Sequence, residues 1–242
     1  MTRAAIGMGG NLGDRARTLD DAVAALSKTP GLIVRAVSSY HATNPTGGPG
    51  GQGAFLNAAA VVDAECGPIE LLRILQGIEQ AAGRVRRERW GERTLDLDLL
   101  LFGPTCLDTA ELTIPHPLMP VRRFVLAPLA EIAAEEVHPP TGRTVGELLR
   151  NLDRRPARVE VLDRDEARRS RVVARLAGGI AANGWAMVVG DVPATPTTFR
   201  AVIGESRSDL PPDGTPVVRV TPGEPEAIAD HLLAICQGVL GL

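Results

Sequence analysis

Leu95-Asp96-Leu97-Asp98-Leu99-Leu100-Leu101-Phe102 is the stretch that decides the fold. Apolar and acidic residues alternate at its start and the run then turns wholly apolar, the pattern of a strand entering a core. Alternation puts Asp96 and Asp98 on one face and Leu95, Leu97 and Leu99 on the other. Two carboxylates this close repel each other and resist burial. A divalent cation relieves both penalties, and magnesium takes one or two carboxylates together with phosphate oxygens. A D-x-D alone is more often a pair of solvated aspartates, so the surroundings decide.

Outward from this strand, the elements follow a regular order. Pro68 opens a helix carried by Ile69, Leu72, Leu75 and Ile78 to Gly83. Phe55–Val62 reads as a strand, and Asn44–Gly53, with five glycines and two prolines, as the loop before it. Leu32–Tyr40 is rich in β-branched residues and predicts another strand. Ala4–Met8 predicts the first, and the segment from Asp14 to Leu26 a helix. Phe124–Ile132 and Val145–Leu152 predict helices downstream. The order strand, helix, strand, strand, helix, strand implies an α+β domain, a ferredoxin-like antiparallel sheet with covering helices.

The character changes after about Arg150. Residues 1–152 are expected to form one domain and 153–242 a small C-terminal α/β extension of unassigned role. Arg154–Arg158 predicts a linker and Asp165–Ala182 a helix. Trp185–Val189 and Val217–Val220 predict short strands, Glu224–Leu240 a helix, and 191–216 a long proline-containing loop.

Bulk composition narrows the function classes. The net charge of −3 offers no positive field for nucleic acid. With 3% aromatic residues, the sheet also lacks the stacking platforms of an RNA-binding module. Lys28 is the one lysine among 26 basic residues, so arginine positions inform more than arginine counts. Cys66, Cys106 and Cys236 are too few and too scattered for a disulfide framework or a C-x-x-C metal pair, which fits a reducing, cytoplasmic setting. No apolar run is long enough for a signal peptide or a membrane span.

Three segments carry chemistry. Arg84-Val85-Arg86-Arg87-Glu88-Arg89-Trp90-Gly91-Glu92-Arg93 sets an arginine loop beside the carboxylate pair, and guanidinium groups hold phosphate oxygens through paired hydrogen bonds. Metal carboxylates and arginines together meet the needs of phosphoryl transfer. The glycine-rich loop leads into Phe55 and Asn57, a stacking face and an amide suited to a heterocycle. His116, between Pro115 and Pro117, is expected in a rigid extended segment where it could bind phosphate. Gly7-Met8-Gly9-Gly10-Asn11-Leu12 fails the G-x-G-x-x-G pattern at Leu12, and no G-x-x-x-x-G-K-[ST] exists, so any ATP chemistry here proceeds without a P-loop.

These segments resemble the 6-hydroxymethyl-7,8-dihydropterin pyrophosphokinase family. The likeness is carried by Asn11-Leu12-Gly13-Asp14, Asn57-Ala58-Ala59, Gly83 to Arg86, Glu88 to Gly91, Arg93 to Asp98 and Pro115-His116-Pro117, and it spans about residues 3–150. It implies ATP as co-substrate, two magnesium ions on Asp96 and Asp98, and AMP and a pterin diphosphate as products. Arg84 and Arg93 would join the two aspartates in catalysis. Thr43, Pro45, Thr46, Phe55, Asn57, Trp90 and Phe124 would bind the pterin, with Phe55 and Phe124 sandwiching its ring. Gln76, Glu79, Arg86, Arg89, Trp90, Leu99, Leu112, Thr113, His116 and Arg122 would bind ATP. Glu111 departs from the family, standing where some members have a nucleotide-binding arginine. The tail lies outside the resemblance. Because every matched residue precedes it, the expectation is that catalysis proceeds without it, and self-association is one use it could have.

Overall fold

A computed structural model describes residues 1–45, 51–84, 92–154, 157–182, 187–189, 198–203, 215–221 and 223–240. Strand Thr2–Gly10 (β1), helix Arg15–Lys28 (α1), strands Leu32–Val37 (β2), His41–Thr43 (β3) and Phe55–Ala64 (β4), helix Pro68–Ala81 (α2) and strand Asp96–Phe102 (β5) build the amino-terminal half. Their sheet has the order β2-β4-β1-β5, with β3 beside β4 and every pairing antiparallel. Asp14 caps α1 by accepting the Arg17 N–H at 3.2 Å, a contact worth about 1 kcal/mol.

The strand expected over Leu32–Tyr40 stops at Val37. Ser38 ends it by serving both polar groups of Ala59: its N–H donates to the Ala59 carbonyl and its hydroxyl accepts the Ala59 N–H, each at 2.9 Å. The chain then rejoins β4 as the separate strand β3.

Each face of the sheet buries its own core. Ile6, Met8, Ala60, Val62, Leu97 and Leu99 pack against Leu19 and Leu26 of α1 and Leu71 and Leu75 of α2. Ala5, Ala59 and Val61 face the other way, toward helix Arg123–Ala133 (α3). Between β5 and α3 lie the paired strands Leu107–Asp108 (β6) and Thr113–Ile114 (β7) and a 3-10 turn at Met119–Val121. Strands Val137–His138 (β8) and Arg143–Thr144 (β9) pair before helix Val145–Asp153 (α4), which opens with a capping box between Thr144 and Glu147.

His138 is buried, with Nδ1 2.9 Å from the Thr141 hydroxyl. Burial pushes its imidazole down to about 4, against about 6.5 for a free histidine. The unfolded chain therefore takes up this proton first as the pH falls. The stability that depends on a neutral His138 is full above pH ~6.5 and is lost between about 6.5 and 4, up to about 3 kcal/mol. In urea unfolding, His138→Gln is expected to show a flatter loss of stability across that window than the parent chain. Equal slopes would refute this role.

The tail forms strand Ala157–Asp163 (β10), helix Glu166–Ala182 (α5), strands Met187–Val189 (β11), Phe199–Ile203 (β12) and Val217–Val220 (β13), and helix Pro225–Leu240 (α6). The strands make a parallel sheet in the order β11-β10-β12-β13. Two expectations fail here. The linker expected over Arg154–Arg158 overlaps β10, whose Ala157, Val159 and Val161 are buried. The loop expected over 191–216 contains β12, a central strand buried from Phe199 to Ile203. Parallel strands covered on both faces show no polar alternation, so β12 has little local signal apart from its apolar residues.

The tail does not hang free. Tail residues such as Val159, Phe199, Leu232 and Ile235 share one continuous core with Leu126 and Leu129 of α3 and Leu148 and Leu152 of α4. Asn151 of α4 also donates its Nδ2–H to the Thr198 carbonyl at 2.9 Å.

Candidate active site: two cavities that meet at a carboxylate pair

Register across the sheet places the functional groups in rows. Asp96 lies opposite Gly9, which lies opposite Asn57, and Asp98 lies opposite Gly7, which lies opposite Ala59. Directly opposed residues share a face. Asp96, Asp98 and Asn57 therefore project from the α3 side of the sheet, across two glycines that carry no side chain. A Cβ on Gly9 would come within 2.9 Å of the Asn57 Oδ1. The missing side chains leave a hollow floored by Gly7 and Gly9.

That hollow is the first cavity, about 130 Å³ in volume. Thr43, Phe55, Asn57 and Phe124 line it, all expected at the pterin. Asn57 is buried and fixed in orientation, its Nδ2–H donating to the Thr43 hydroxyl at 2.8 Å. The Arg93 guanidinium lies 6.0 Å from the centre of the Phe55 ring, and that of Arg122 lies 5.5 Å from the Phe124 ring. Arg122, expected at the nucleotide, thus borders this cavity. Pro45 lines neither cavity, and Thr46 lies outside the described residues.

The second cavity, about 260 Å³, opens along the outer side of the edge strand β5. Gln76, Glu79, Leu99, Leu112, Thr113 and His116 line it, all expected at the nucleotide. Glu111 also reaches it and pairs with Arg73 at 3.4 Å, so an arginine stands beside the unexpected acid. Arg86, Arg89 and Trp90 lie outside the described residues. Asp96 and Asp98 line both cavities.

A network of charges holds Asp96 in place. Two residues past the end of α2, Gly83 with a φ of +77° turns the chain back. Arg84 then falls against Glu79, five residues earlier, and its Nη1 also lies 2.6 Å from Asp96 Oδ1. Arg93 pairs with the other oxygen of Asp96. Glu79 Oε1 accepts the Leu97 N–H at 2.7 Å, tying α2 to the edge strand. Burial pushes the Glu79 carboxyl up, while the Leu97 N–H and the Arg84 guanidinium pull it back.

His116 does not continue an extended segment. Its N–H donates to the Leu100 carbonyl at 3.0 Å and its carbonyl accepts the Met119 N–H, so it begins a turn. Nδ1 accepts the Leu118 N–H at 3.1 Å. Burial holds the imidazole below the usual histidine range, against the pull of Asp98. The neutral ring therefore carries its proton on Nε2, where it is available as a donor.

Some of this lay beyond the sequence reading. Asn11 links two loops: its Oδ1 accepts the Arg93 N–H at 2.8 Å and its Nδ2 reaches the Gly53 carbonyl at 3.4 Å. The motif Asn11 to Asp14 signalled importance but not this role. Ala234, Ile235 and Gly238 of α6 line the first cavity. No local signal marks them, because an apolar helix face looks the same whether it meets a core or a cavity.

Comparison with known proteins agrees with this geometry. The profile of the family described as 7,8-dihydro-6-hydroxymethylpterin-pyrophosphokinase matches residues 5–134. Three proteins named 2-amino-4-hydroxy-6-hydroxymethyldihydropteridine pyrophosphokinase are similar. That of Synechocystis is 43% identical over 150 residues, covering 62% of this chain and 76% of the relative. That of Methylorubrum extorquens is 45% identical over 153 residues, covering 63% and 95%. That of Mycobacterium bovis is 39% identical over 178 residues, covering 69% and 89%. A solved structure described as HPPK-DHPS in complex with substrates aligns with a TM-score of 0.48 at 13% identity; the match covers 83% of this chain and 57% of that one. With its matched profile, its relatives and a carboxylate pair set between two cavities, this chain belongs to the 7,8-dihydro-6-hydroxymethylpterin-pyrophosphokinase family.

Proposed function

We propose that the first cavity holds 6-hydroxymethyl-7,8-dihydropterin and the second holds ATP, with transfer taking place at Asp96 and Asp98. The reaction is that of the family: pyrophosphate passes from ATP to the pterin, a step of folate biosynthesis. The observation that carries the assignment is that the same two carboxylates line both cavities.

The pterin hydroxyl attacks the β-phosphorus. A new O–Pβ bond forms, the bond from Pβ to the α-phosphate oxygen breaks, AMP leaves and the hydroxyl proton is released. Phe55 and Phe124 offer faces for the flat ring and the oriented Asn57 amide reads its edge. His116, through Nε2–H, and Arg84 and Arg93 beside the carboxylates are placed for phosphate oxygens. Holding both substrates against one strand supplies proximity. Two hard carboxylates on one strand face, both open to the two cavities, fit magnesium. Asp96 and Asp98 would hold two such ions, whose charge would neutralise the phosphate oxygens.

The antiparallel order β2-β4-β1-β5 supports a ferredoxin-like reading of the amino-terminal half. Residues 1–152 are the pyrophosphokinase domain and 153–242 the extension. The test is AMP formation from ATP and magnesium, with and without 6-hydroxymethyl-7,8-dihydropterin. Pterin-dependent AMP together with pterin diphosphate is expected. Release of ADP or phosphate that ignores the pterin would overturn the proposal.

A further inference from the structure

Among the residues lining the first cavity, three come from the far end of the chain: Ala234, Ile235 and Gly238 of α6. Their spacing puts them on one face of the helix, one turn apart. The cavity they border also holds Phe55, Asn57 and Phe124 and reaches Asp96 and Asp98. Helix α6 is firmly held there. Ile228, Leu232, Ile235 and Val239 are buried in the core shared with α3 and α4. On the side toward α5, Leu233 packs so close to Gly179 that a Cβ at that glycine would lie 2.8 Å from it. Arg175 of α5 and Asp230 of α6 pair at 3.1 Å. A helix clamped in this way is a fixed wall.

We propose that α6 is a specificity element of the pyrophosphokinase site, forming an apolar wall against the pterin, so that the C-terminal unit takes part in recognising the substrate. The inference rests on the assignment of this cavity to the pterin. The wall does two things. Ile235 keeps water off one face of the flat ring, and the small residues Ala234 and Gly238 leave width for it. The wall also distinguishes this chain from its shorter relatives: the match to the Methylorubrum extorquens protein uses 95% of that protein but 63% of this chain. On this proposal the tail contributes to the site, whereas the sequence alone led to the expectation that catalysis proceeds without it.

The test uses the full chain, with pterin affinity measured by calorimetry without ATP, the KM of each substrate, and the thermal midpoint. Ala234→Leu narrows the cavity and is expected to weaken pterin binding about tenfold or more, within the range that one methylene commands in an apolar pocket. Its KM for ATP and its midpoint are expected to stay close to the parent values, which a merely structural role would not produce. Gly238→Ala is the second variant. It adds one methyl group and favours the helix by roughly 1 kcal/mol, so it reports on the cavity even if the leucine variant fails to fold. Phe124→Ala is the control for the site itself. Weaker pterin binding in Phe124→Ala and in the α6 variants supports the proposal. Weaker binding in Phe124→Ala with parental affinity in Gly238→Ala and in any folded Ala234→Leu overturns it and leaves the pterin assignment standing. Parental affinity in all of them overturns both.

Discussion

Asp98→Ala is expected to lower kcat for pyrophosphoryl transfer by about 10³-fold or more, with little change in thermal midpoint. Asp98 projects from the sheet into both cavities, opposite a glycine, and belongs to neither hydrophobic core. Losing one carboxylate of a metal-binding pair costs several kcal/mol of transition-state stabilisation, and each 1.36 kcal/mol is tenfold in rate. The neighbouring Asp96→Ala should be equally inactive but less stable. Asp96 also faces Arg84 and Arg93, both partly buried, and its removal takes an acidic partner from each. Steady-state AMP formation together with thermal unfolding of both variants checks this. A folded Asp98→Ala protein with near-parental turnover would remove the carboxylate pair from the mechanism.

Glu79→Ala is expected to be the most destabilising single change in the site, by about 3–5 kcal/mol. Glu79 is buried, pairs with Arg84 and accepts the Leu97 N–H, so one carboxylate joins the end of α2, the arginine beside Asp96 and the edge strand β5. Alanine leaves both donors without that acceptor. For a chain of this size the thermal midpoint should fall on the order of 10 °C. Glu79→Gln keeps an acceptor for Leu97 but loses the charge facing Arg84, so its loss should be smaller. Urea unfolding of the two variants separates these terms. Parental stability in Glu79→Ala would rule out the brace and return Glu79 to a purely ligand-binding role.

Much of the site was legible because its parts are local. Alternation from Leu95 to Leu99 placed the carboxylates on one face, and β5 puts them there. The helix expected from Pro68 and that expected over Phe124–Ile132 are observed within a residue or two. The residue types and the resemblance together singled out Phe55, Asn57, Phe124 and His116, all of which line a cavity.

The rest depends on register and packing between distant segments. Asn57 meets Asp96 across Gly9 only because β1 pairs with β4 and β5 in one register. Gly10 belongs to the same logic. It was expected in the turn after the first strand, but it lies within β1, and a Cβ there would lie 2.2 Å from the Thr94 carbonyl oxygen, where β1 comes close to the start of β5.

The sequence by itself determined the alternating strands, the helix periods and the residue types that define the chemistry, because each depends on a few neighbouring side chains. Only the tertiary structure decided that β12 is a central strand, that Glu79 braces Arg84 and Leu97, and that α6 walls the cavity. Those outcomes depend on which apolar faces bury one another across more than a hundred residues, and hydrophobic burial carries no direction that a local pattern could record.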